Sequence, residues 1–171
     1  MKKLYLIFLL LGSLKLMSQE CPEYCNKRTK YKFKLLKKEG LKIDTTKVRV
    51  DGVYILESEL NGQRRYRFLR FFANGRVYFS CAYCSPPSSD DLNNLNYGKY
   101  GYYVVNDSMV KTETFEPYLR YYFVFYKVQG EQIITNGSCK RRWPEMKNKD
   151  YTQFRNVFSF KKSILTSSTF W

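Results

Sequence analysis

Five cysteines, two glutamates spaced two apart and one arginine inside an aromatic run are the residues of this chain whose types and spacing could do chemistry. Glu57 and Glu59 would share one face of a strand at roughly 6–7 Å, a separation between those of retaining and inverting glycosidases. Tyr54, Leu56 and Leu60 take the opposite face, so both carboxylates are expected to point to water. Cys81-Ala82-Tyr83-Cys84 has the spacing of a redox pair. A thioredoxin-like site needs that pair at a helix N-terminus beside a parallel sheet, whereas here it ends a strand. The chain has no histidine, which removes Ser-His and Cys-His nucleophile pairs, imidazole acid–base chemistry and nearly all catalytic zinc sites. No glycine-rich phosphate loop follows a strand and opens a helix. Cys21, Cys25, Cys81 and Cys84 could make a four-cysteine zinc site, but in an oxidising compartment disulfides are expected instead. Cys139 would reach Cys81 or Cys84, and Cys21 would close on Cys25. The reading is of a protein that binds rather than catalyses, with no metal site and no cofactor.

The arginine is more informative. Asn74-Gly75 is the strongest hairpin signal, because a two-residue loop needs positive φ at both positions and these residue types adopt it at little cost. Such a loop sets Phe72 opposite Val77, Arg70 opposite Phe79 and Phe68 opposite Cys81. Opposed residues share a face. Tyr66, Phe68, Arg70, Phe72, Val77, Phe79, Cys81 and Tyr83 are thus expected inward, and Arg65, Arg67, Leu69 and Phe71 outward. A guanidinium in an aromatic wall is unfavourable without an anion, and its fork suits a carboxylate or phosphate. Arg70 is therefore the candidate anchor for an acidic apolar ligand such as a fatty acid, against the alternative of an internal Glu or Tyr partner. Lys127 outward puts Tyr122, Val124, Tyr126 and Val128 inward, facing Ile133 and Thr135. Lys111 and Glu113 outward put Tyr103, Val110 and Thr112 inward, and the last strand adds Phe154, Phe158 and Phe160. The candidate ligand-binding set is Arg70, Tyr66, Phe68, Phe72, Phe79, Tyr103, Tyr126 and Phe158. The chain has 16 tyrosines, and a buried phenol needs a hydrogen-bond partner. Such an interior either holds water or a ligand, or packs as a filled core.

The elements that must position these residues are strands. Turn signals at Asn106-Asp107 and Gly130-Glu131 join Asn74-Gly75 to delimit strands near 51–58, 64–73, 76–83, 99–105, 108–115, 120–129, 132–139 and 154–162. Eight strands with mostly short connections describe an all-β fold, a single antiparallel up-and-down β-barrel with a short N-terminal helix. Pro86-Pro87 followed by Ser89 or Asp90 as N-cap gives one helical turn in the long connection. Lys2 and Lys3 precede an apolar run from Leu4 to Leu14, too short for the roughly 20 residues of a membrane span, so residues 1–19 read as a signal peptide. Residues 20–47 form a basic segment read as helical, 48–163 the barrel, and 164–171 a tail. Export implies a secreted or periplasmic, cell-envelope location. Lipid anchoring through Cys21 is disfavoured by Ser18-Gln19-Glu20 ahead of it. A net charge of +15 suits an anionic surface as partner, with no signal for specific nucleic-acid recognition and none for oligomeric state.

Asp51-Gly52-Val53-Tyr54 resembles the Gly-x-Trp that opens the first strand of lipocalins and other calycins, with Tyr in place of Trp. The resemblance implies an eight-stranded barrel, open at one end, with a small hydrophobic ligand inside. It also implies that Arg155 on the final strand packs across the ring of Tyr54. Two other readings compete. One is an envelope interaction protein with a filled barrel that contacts an anionic partner through its basic N-terminal segment. The other is an outer-membrane barrel, which the charged outer positions disfavour.

Overall fold

The computed structural model describes residues 44–116, 120–139, 151–152 and 155–165. The expected signal peptide, nearly all of the basic segment, Cys21, Cys25, Phe154 and most of the tail lie outside them. Nine strands run in chain order: β1 Gly52–Leu60, β2 Gln63–Phe71, β3 Arg76–Ser80, β4 Gly98–Asn106, β5 Met109–Glu116, β6 Arg120–Gln129, β7 Gln132–Cys139, β8 Tyr151–Thr152 and β9 Val157–Lys162. Each of β1 to β7 pairs antiparallel with the next. β9 then fits between β7 and β1 and closes the sheet. The result is a closed up-and-down barrel of eight strands, as expected. The two-residue β8 is bonded to the far end of β7. Closure removes the open edges that would otherwise invite strand addition.

The turns show how the sequence sets this meander. Asn61 (φ 53°) and Gly62 (φ 74°) join β1 to β2 with Leu60 opposite Gln63, a two-residue loop with both positions left-handed. Asn74-Gly75 works differently. Only Gly75 takes positive φ (81°), its N–H donates to the Phe72 carbonyl at 3.0 Å, and the Phe72 N–H donates to Arg76 at 2.9 Å. That is a three-residue loop with glycine at the left-handed corner. It pairs Arg70 with Tyr78 and Phe71 with Val77, one residue out of step with a two-residue loop. A one-residue slip turns every side chain of β2 over relative to β3.

The helix that is described is α1, Ser89–Asn93, in the β3–β4 connection. Its N-cap is Ser88, one residue before the expected position. The Ser88 hydroxyl accepts from the Asp91 N–H and the Asp91 carboxylate accepts from the Ser88 N–H, a reciprocal capping box. Leu92 buries itself with Leu95 against Val53, Phe68, Phe72 and Tyr78 on the outer face of β1 to β3. The fold therefore has two apolar layers, one inside the ring and one between ring and connection.

The expected bridge from Cys139 to Cys81 or Cys84 is a correction. Among the described residues no cysteine pair lies at disulfide distance. Cys139 ends β7, and Cys81 follows β3 four places round an eight-strand ring. Strands facing each other across a barrel exceed the roughly 7 Å Cα separation that a bridge tolerates. Cys81 and Cys84 are nonetheless each disulfide-bonded.

Candidate functional site

The barrel interior divides into a filled half and a hollow half. The filled half is built on Tyr54, Phe71 and Tyr103, each at most 1% exposed. Phe71 meets Tyr54 edge-on at 5.7 Å and Tyr103 at 4.9 Å between ring centroids. Tyr54 meets Phe160 at 5.2 Å. Val77, Val105, Val110 and Ile133 fill the gaps between them. Both tyrosine hydroxyls are satisfied: Tyr103 donates to the Phe72 carbonyl at 2.9 Å, and Tyr54 accepts from the Arg49 N–H at 3.0 Å. Burial raises both phenols, that of Tyr103 to about 12, so they stay neutral.

The segment before β1 closes this end. A turn at residues 44–47 brings Val48, fully buried, against the interior cluster. Arg49 lies 4.0 Å over the Phe160 ring and pairs with Asp51 at 2.9 Å and Glu131 at 2.8 Å. Gly52 is required here, since a side chain would run into the Lys161 carbonyl and the Phe160 ring. The Gly-x-aromatic opening of β1 thus seats a buried ring at this end of the barrel. The arginine beside that ring is Arg49, whereas Arg155 is exposed and makes no contact with Tyr54 that the structure shows.

The hollow half begins one layer further along every strand. A cavity of about 380 Å³ is bordered by Leu56 on β1, Leu69 on β2, Phe79 on β3, Val124 and Tyr126 on β6 and Phe158 on β9. Nearer its end lie Arg67, Lys99, Thr114, Tyr122, Thr135 and Asn156. This volume sits at the small end of the range for ligand pockets. The polar groups are largely occupied. The hydroxyls of Tyr122 and Ser138 share a hydrogen bond of 2.6 Å, Thr114 donates to the Tyr122 carbonyl at 3.4 Å, and Thr135 and Asn156 exchange backbone and side-chain bonds across β7 and β9. Burial pushes the Tyr126 phenol well above its usual range. Among the described residues bordering the cavity there are two cations, exposed Arg67 and half-buried Lys99, and no carboxylate. The arrangement offers an apolar floor and a positive rim.

The register slip decides which expected residues meet here. Phe79, Tyr126 and Phe158 face inward as expected and border the cavity, and Tyr103 faces inward but belongs to the filled half. Tyr122, Val124, Val128, Ile133, Thr112, Thr135 and Phe160 also face inward as read from the sequence. Arg70, Tyr66, Phe68 and Phe72 do not. Arg70 is 3% exposed, but on the outside of the ring beneath α1. Its guanidinium donates to the Leu92 carbonyl at 3.4 Å and lies 4.8 Å from the Phe72 ring. Desolvation lowers its pKa. Phe68 and Phe72 belong to the outer cluster, though Phe68 borders the cavity from its strand. Tyr66 donates to Glu57 on the outside at 3.3 Å. The residues that sequence reasoning missed are Arg67, Leu69 and Lys99. Asn61-Gly62 carried the signal for two of them: a two-residue loop there places Leu69 opposite Tyr54 and Arg67 opposite Leu56, both on the inner face. Glu57 and Glu59 are exposed, as expected, with Arg64 3.6 Å from Glu57.

Fold and cavity define a class: a closed antiparallel barrel with an internal cavity toward one end, consistent with calycin-type topology. No protein-family model, no curated protein and no solved structure matches the chain.

Proposed function

We propose that this protein is an exported, lipocalin-like carrier that takes a small hydrophobic ligand with an anionic group into the hollow half of its barrel, and that it does so without catalysis. The observation that supports the reading is the pairing of an apolar, partly aromatic floor with Arg67 and Lys99 at the rim of the same cavity. The orientation is the reverse of an anchor at the barrel centre. The acid group stays near water beside the rim cations, where its desolvation is small, and the apolar body takes the floor, where burial is worth about 25 cal/mol per Å². The protein's positive charge raises the local concentration of such an anion.

The test is binding of an anionic naphthalene dye to the purified mature protein, with displacement by alkanoates. Binding to one site per chain is expected. The double substitution Arg67→Ala with Lys99→Ala should weaken it about fivefold, since exposed charge pairs contribute up to about 1 kcal/mol each. Added salt should weaken the wild type more than the variant. If neither dye nor alkanoate binds, the carrier reading fails. An envelope interaction protein that meets an anionic surface through its basic segment then takes its place.

A further inference from the structure

We infer that the cavity is a length gauge: it accepts a compact amphipathic anion with an apolar portion of about eight carbons, and the ring cluster Tyr54–Phe71–Tyr103 sets the limit. The inference rests on the carrier reading and specifies its ligand. Its basis is the change in the interior's character along three strands. On β1 the cavity ends between Leu56 and Tyr54, on β2 between Leu69 and Phe71, on β9 between Phe158 and Phe160. Below that level Tyr54 and Phe71 are fully buried and edge-packed on one another. Tyr103 is held in place by its bond to the Phe72 carbonyl. Cores of this density lack room for a methylene without rearrangement.

The depth above the cluster follows from strand geometry. On β6 the bordering residues run from Tyr122 to Tyr126, four steps of about 3.3 Å on a strand tilted by about 40°, or roughly 10 Å along the barrel axis. A hydrocarbon chain with bonds of about 1.5 Å and tetrahedral zigzag gains about 1.25 Å per carbon, so roughly eight carbons reach the floor. A longer chain must leave its excess in water or displace a packed ring. Phe71 is the gate of the three, because it touches both tyrosines and, unlike them, offers no hydrogen bond that a substitution would break.

The experiment measures displacement of the same dye by straight-chain alkanoates of about four to sixteen carbons, each below its micelle threshold. Affinity should rise about three- to fourfold per methylene, the equivalent of about 0.8 kcal/mol, up to about eight carbons, and then stay flat or fall. A rise that continues through sixteen carbons overturns the length gauge and leaves the carrier reading standing. Binding of no member of the series overturns both. Phe71→Leu should move the break outward by about two carbons. Leu56→Trp, which fills the hollow half, should lower octanoate affinity at least tenfold. The wild-type series alone decides the matter should Phe71→Leu fail to fold, and an unmoved break in a folded Phe71→Leu variant assigns the limit to something other than this ring.

Discussion

Phe71 and Phe79 lie on neighbouring strands, one layer apart on the same inner face, yet they should respond very differently to truncation. Phe71 is fully buried, with edge contacts to Tyr54 and Tyr103. Phe71→Ala leaves a void among close-packed rings, and such a change costs about 4 kcal/mol, with two aromatic contacts included in the loss. Phe79 is half-buried and already borders the cavity. Phe79→Ala enlarges an existing space and creates no new one, so only the transfer of a half-buried ring is lost, about 1–1.5 kcal/mol. The difference, roughly 2.5–3 kcal/mol, corresponds to a separation of about 1.3 M in urea midpoint for a slope near 2 kcal/mol per molar. Urea unfolding followed by circular dichroism and by intrinsic fluorescence measures both midpoints, with unchanged slopes as the check that the comparison is of stability alone. Equal shifts within about 0.3 M, or a larger shift for Phe79→Ala, would refute the division of the interior into filled and hollow halves.

Arg70→Met should destabilise the protein by about 1–2 kcal/mol, through loss of the bond to the α1 carbonyl and the contact with Phe72, while alkanoate affinity stays within twofold. A large loss of affinity would place Arg70 back in the ligand site. Gly62→Ala, at φ 74° in the β1–β2 loop, should cost about 1–2 kcal/mol, read as a lower melting temperature with unchanged far-ultraviolet dichroism. Burial raises Tyr83 and Tyr103 from 10.0 to about 12. A raised phenol contributes stability that is whole below pH 10 and is lost as pH climbs through about 12, because the unfolded chain ionises first. Tyrosinate absorbance should accordingly show an exposed class near pH 10 and a delayed class that ionises only with unfolding. One titration near pH 10 for every tyrosine would contradict the burial. Arg49 holds the Asp51 carboxyl below its usual range, a contribution present above about pH 4 and lost as pH falls through the lower folded value. The stabilities of wild type and Asp51→Asn should converge in acid, and parallel profiles down to acid unfolding would count against it.

The alternation of aromatic and charged residues and the short polar turns determined the strands, their order and their antiparallel sense, because period-two patterning and left-handed turn residues are local properties. Strand ends at 120–129 and 132–139 are legible for that reason, as are the inward faces of β5, β6 and β9, where a Lys or Glu in alternation marks the outside. The register of β2 against β3 was not local. Asn74-Gly75 serves a two-residue loop and a three-residue loop equally well, since both need a glycine at a left-handed corner. The choice belonged to the rest of the barrel. The Asn61-Gly62 turn had already set Leu69 against Tyr54, and only the longer loop lets Val77 and Phe79 share that face while Arg70 passes outward beneath α1. Tertiary structure likewise decided that the interior is full at one end and hollow at the other. That depends on how side chains from eight strands fill a common volume, which no single strand's sequence specifies.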